Sequence, residues 1–77
     1  MSEEPIQLSD YQISEQISGV SYFDGDQRQL VKAALSILSK KNRLDYESVK
    51  EMLKYLDRAD LISSGGVESV LRRLFKK

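Results

Sequence analysis

A chain of 77 residues with no Cys, His or Trp makes one small domain at most. That inventory excludes disulfides, removes the usual zinc ligands, and leaves neither nucleophilic Cys chemistry nor a His base. The formal charge is zero but divided: residues 1–26 carry six acidic side chains and no basic one (−6), while residues 27–77 carry twelve basic against six acidic (+6).

No apolar run approaches the roughly eighteen residues of a membrane span. The segment Met1-Ser2-Glu3-Glu4-Pro5 is acidic where a signal peptide is basic. The expectation is a cytoplasmic protein without membrane contact. A core this small stabilises by only a few kcal/mol, and small domains add a staple. With disulfide and zinc gone, oligomerisation is the staple that remains, so a homodimer is expected.

Residues 1–8 show no periodicity and hold the single Pro, which reads as a mobile tail ahead of one helical domain over 9–77. Ser9-Asp10-Tyr11-Gln12 has the form of a capping box, and Ile13, Ile17 and Val20 follow at helical spacing, giving a short helix that stops before Gly19. Alone it is marginal, so it must dock. Ser21 to Gly25 is a connector, with Tyr22 and Phe23 expected as core anchors. Asp24 or Asp26 caps a second helix running to Lys40, with the apolar stripe Leu30/Ala34/Ile37/Leu38 and basic residues at its end to match the helix dipole. Asn42, tolerant of the left-handed backbone, terminates it.

Asp45 at the N-cap, with Leu44 before it and Val49 four residues inside, is the hydrophobic-staple pattern for a third helix to Arg58, striped by Val49/Met52/Leu53/Leu56. Its other face mixes one favourable pair, Glu47–Lys50, with the like-charge pairs Glu47–Glu51 and Lys50–Lys54, and the expectation from spacing alone is a solvent-exposed surface, not a binding site. A closing stripe, Val67/Val70/Leu71/Leu74, has two readings. Asp60 caps one continuous or kinked helix over 61–76, or Ser63-Ser64-Gly65-Gly66 is a turn before a shorter one. The continuous helix is favoured because the apolar phase survives across the glycines, despite roughly 1.5–2 kcal/mol of helix propensity lost there. Such a pair is retained where a neighbouring backbone comes close. The fold expected is all-α: a small bundle of three main helices with a short N-terminal one, dimeric.

The constellations carry little chemistry. The carboxylates Asp57 and Asp60 flank a helix junction, where capping acids are common. Ser63-Ser64-Gly65-Gly66 lacks the Lys-Ser/Thr of a phosphate loop, and Asp24-Gly25-Asp26 is too short for a calcium loop. No catalytic, cofactor or metal residue is assigned, and the chain reads as no enzyme. Two helices joined by five residues raise helix-turn-helix binding of DNA, yet the exposed face of the second one is half acidic. Phosphate contacts, if made, fall to Lys40, Lys41, Arg43, Arg72 and Arg73, with Lys76 and Lys77 beyond. The acidic leader is either solvated or a shield for that basic surface. Gly66, Val67, Val70, Leu71, Leu74 and Phe75 offer more apolar area than so short a monomer covers, and they are expected to form the dimer and partner interface.

With Leu35-Ser36-Ile37-Leu38-Ser39, Asn42-Arg43-Leu44, Val49, Met52-Leu53-Lys54-Tyr55-Leu56-Asp57 and a closing apolar helix from Val67 to Phe75, the chain resembles the small enterobacterial connector proteins of the AriR–YmgA–YcgZ type over residues 13–75. It departs from them in Gly65-Gly66 and in the Lys40-Lys41 link. The resemblance implies an all-α homodimer without catalytic residues that acts by protein contact on an Rcs-type envelope-stress phosphorelay, favouring biofilm and acid resistance, with DNA binding proposed for one branch. The expected function is therefore a non-enzymatic regulatory adaptor. A DNA- or nucleoid-associated modulator is the alternative, and a phage- or plasmid-borne inhibitor a weaker one.

Overall fold

The structure is a computed structural model that describes residues 4–75. Expectations for residues 1–3 of the tail, and for Lys76 and Lys77, lie outside the described residues. Among those described there are four helices and no strand: α1 (Asp10–Ser18), α2 (Gly25–Lys40), α3 (Tyr46–Arg58) and α4 (Ser64–Phe75). Each packs on its chain neighbour, and α1 closes the ring against α4. At nine residues α1 is short, but it buries Ile13 and Ile17 as a full member of a four-helix bundle, not as an accessory to three.

Local sequence explains the starts of α1, α2 and α3 and the ends of α2 and α3. The Ser9 side chain accepts the Gln12 N–H (3.2 Å), and the Ser9 N–H donates to Gln12 Oε1 (2.9 Å), closing the capping box. Asp24, not Asp26, caps α2 by accepting the Gln27 N–H at 2.8 Å. Asp45 does the same for Ser48 in α3, also at 2.8 Å, while Leu44 and Val49 are fully buried as the staple requires. Both α2 and α3 end in the same way. Asn42 (φ 55°) and Asp60 (φ 63°) take the left-handed backbone. The Arg43 N–H then reaches back to the Leu38 carbonyl (2.8 Å) and Leu61 to Leu56 (2.9 Å), the double-bonded Schellman ending.

That ending corrects the expected continuous helix over 61–76. Asp60 stops α3 and caps nothing after it, because its backbone turns left-handed. The shorter-helix reading is also adjusted, since α4 starts at Ser64 and takes Gly65 and Gly66 into its first turn. What approaches those glycines is a pair of aromatic rings, not a backbone. A Cβ on Gly66 would overlap Phe23 Cε1, and one on Gly65 would stand 2.8 Å from Tyr22 Cδ1. The two rings differ in burial. Phe23 is 2% exposed and anchors the core as expected, whereas Tyr22 is 58% exposed and is not an anchor.

The core runs through all four helices: Ile13 and Ile17, Val31 and Leu35, Val49, Leu53 and Leu56, and Val67, Val70 and Leu71, joined by Val20, Phe23, Leu44 and Ile62. In α2 the buried line is thus Val31/Leu35, rotated from the expected Leu30/Ala34/Ile37/Leu38. Leu30, Ala34 and Leu38 are half-buried, and Ile37 is 55% exposed. The helix carries apolar residues on more than one face, and periodicity alone does not say which face the other helices cover. Ahead of α1, within the stretch expected as a tail, Ile6 donates its N–H to the Leu44 carbonyl (3.0 Å) and Ser39 Oγ donates to the Leu8 carbonyl (3.0 Å). Ile6 and Leu8 pack against the core there.

Candidate interaction surfaces

The residues expected at an interface divide into two sets. Gly66, Val67, Val70 and Leu71 are buried inside the chain's own core, so their surface is not on offer to a partner. The premise that a monomer leaves this stripe uncovered is corrected: α1, α3 and the Phe23 ring cover it. Leu74 and Phe75 are half-buried. Phe75 sets its ring edge-on to Tyr46, with centroids 5.6 Å apart at 77°, which locks the end of α4 to the start of α3.

The basic residues also divide. Lys40, the last residue of α2, and Lys41 and Arg43 on the link to α3 are all exposed. Arg72 is exposed on α4. Arg73 is committed internally: its Nε donates to the Gln16 carbonyl at 2.9 Å, and its guanidinium lies over Gly19 where a Cβ would collide with it. The Gln16 carbonyl also accepts the Gly19 N–H (3.3 Å), so Arg73 adds a second bond there, and its charge at the carbonyl end of α1 complements the helix dipole. Gly19 leaves the room for it. Nothing in local spacing pairs residues 16 and 73; only the packing of α4 on α1 does.

On α3 the outward side chains Glu47, Lys50, Glu51, Lys54, Tyr55 and Arg58 line a shallow depression. Its signs alternate, so it lacks the concentrated positive field that a phosphate backbone requires. Lys50 Nζ lies 5.9 Å from the Tyr46 ring centroid. Tyr55, to which the sequence assigns no role beyond the resemblance motif, is 70% exposed among these charges. The signal was available: an aromatic on the polar side of an otherwise well-phased amphipathic helix.

Among the described residues no group of three or more Asp or Glu is arranged to hold a metal ion, and no helix is long and apolar enough to cross a membrane. Comparison with protein-family models, with curated proteins and with solved structures finds no match for this chain.

Proposed function

We propose that this chain is a non-enzymatic regulatory adaptor, homodimeric, whose outward α3 face binds a signalling protein. The observation that carries the reading is Tyr55, an exposed aromatic ringed by Glu51, Lys54 and Arg58 on a helix whose other face is anchored in the core. Large aromatics supply much of the energy at protein interfaces when neighbouring groups exclude water around them, and mixed charges at the rim select the partner. The resemblance to connector proteins supports an envelope-stress phosphorelay governing biofilm and acid resistance as the setting. Affinity capture from nuclease-treated lysate, followed by reconstitution with the purified partner, tests the proposal. The expected result is a stoichiometric protein complex that Tyr55→Ala weakens at least tenfold while the helical spectrum and melting temperature stay as they were. A partner indifferent to Tyr55→Ala moves the site elsewhere, and recovery of no protein partner by the folded chain overturns the adaptor.

The exposed trio Lys40, Lys41 and Arg43 favours one second reading, a DNA- or nucleoid-associated modulator. Binding through phosphates weakens steeply with salt. A gel shift at low salt that disappears at moderate salt, and that Lys40→Ala/Lys41→Ala diminishes, supports it; no shift at low salt removes it.

A further inference from the structure

The core takes Val31 and Leu35 from α2 and leaves a second apolar line on its outer side. Ile37 is 55% exposed, Leu30 is half-buried with part of its surface against the core, and two small residues, exposed Ala33 and half-buried Ala34, lie between them. Exposed Asp26 and Lys41 mark the two ends of this line. The pattern is symmetric about the midpoint between Ala33 and Ala34. Leu30 and Ile37 are equally far from that point on opposite sides, and so are Asp26 and Lys41, with the charge reversed. A surface of this kind is self-complementary when a copy of it runs antiparallel: apolar meets apolar and acid meets base at every step, while the small residues at the crossing let two helices approach to about 8–10 Å.

We propose that the outer line of α2 is the homodimer seam. Two α2 helices pack antiparallel about a twofold axis between Ala33 and Ala34, setting Leu30 on the partner's Ile37 and Asp26 on the partner's Lys41. This rests on the dimer in the reading above and names the face that forms it, replacing the closing helix. The occupant is a second copy because only the same pattern reversed matches both the apolar and the charged positions. One helix from each chain makes a small interface, so the dimer dissociates at accessible concentrations. Lys41 is then spent on the seam and withdrawn from any phosphate role.

Light scattering across about a hundredfold range of concentration is the test, read as an apparent dissociation constant. The wild-type chain is expected to dimerise. Ile37→Asp should weaken the dimer at least tenfold, and its exposed position leaves the fold intact by circular dichroism. Asp26→Lys or Lys41→Asp alone should also weaken it, and the double exchange should recover most of the loss. Because the chain has no Cys, Ala33→Cys gives a clean probe: a short bismaleimide should link it into dimers and leave Glu68→Cys on α4 monomeric. A wild-type chain that stays monomeric overturns both the dimer and the seam. A wild-type dimer indifferent to Ile37→Asp, or one that links through Glu68→Cys and not Ala33→Cys, overturns the seam alone and leaves the dimer standing.

Discussion

At Gly65 and Gly66 two neighbouring residues of one type face opposite constraints. The ring behind Gly66 belongs to Phe23, which is buried and has nowhere to go. Gly66→Ala therefore forces overpacking, which costs about 1–3 kcal/mol, and more than offsets the roughly 1 kcal/mol of helix propensity that Ala brings. The ring behind Gly65 is that of Tyr22, more than half exposed and able to swing into solvent. Gly65→Ala should thus be neutral or raise stability by up to about 1 kcal/mol. Urea denaturation of both variants checks this pair. Equal losses would mean that Tyr22 is held as tightly as Phe23. The sequence shows two adjacent glycines of equal cost, and only the burial of their neighbours separates them.

Among the helices, α1 is the one whose place depends most on others. Nine residues are too few to persist alone. Its attachments to α2 are side-chain bonds at its outer edge, Ser36 Oγ to Asp10 Oδ1 (2.7 Å) and Lys32 Nζ to Ser14 Oγ (3.4 Å), together with Ile13 and Ile17 in the core. Arg73 holds its far end. Arg73→Ala should remove about 1 kcal/mol and release α1 before the remainder, since the lost bond lies at the α1–α4 seam. Native-state hydrogen exchange is the measurement: amides of α1 should exchange faster in the variant while those of α3 keep their protection. Uniform acceleration across all four helices would show that α1 does not open independently. Arg73→Lys restores charge but not the planar donor geometry, so partial recovery is expected.

For the whole molecule, contacts run mostly between chain neighbours, in an α1–α2 hairpin and an α3–α4 hairpin joined by the five-residue link. Low contact order of this kind favours fast folding. The single core has no disulfide behind it, so stability is marginal. A dimer that forms only from folded chains adds to that stability by mass action. The melting temperature of the wild-type chain should accordingly rise with protein concentration, and that of Ile37→Asp should not. Scanning calorimetry at several concentrations reads this directly; parallel behaviour of the two proteins would exclude α2 as the source of any concentration dependence.

Much of the architecture is legible locally. Capping at Ser9, Asp24 and Asp45, the staple of Leu44 and Val49, and the stop at Asn42 are decided within a few residues, because a helix end is satisfied by side chains adjacent in the chain. The buried stripes of α3 and α4 follow from periodicity, since each of these helices has one apolar line and no alternative. By contrast, α2 carries apolar residues on two lines, and which of them meets the core depends on where α1 and α3 lie against it. The same holds for Arg73 and Gln16, for the rings against Gly65 and Gly66, and for the closing helix, whose apolar face is covered from within. Local free energies set where helices begin and end. Which face each helix keeps for solvent or a partner is settled only when all four compete for one core.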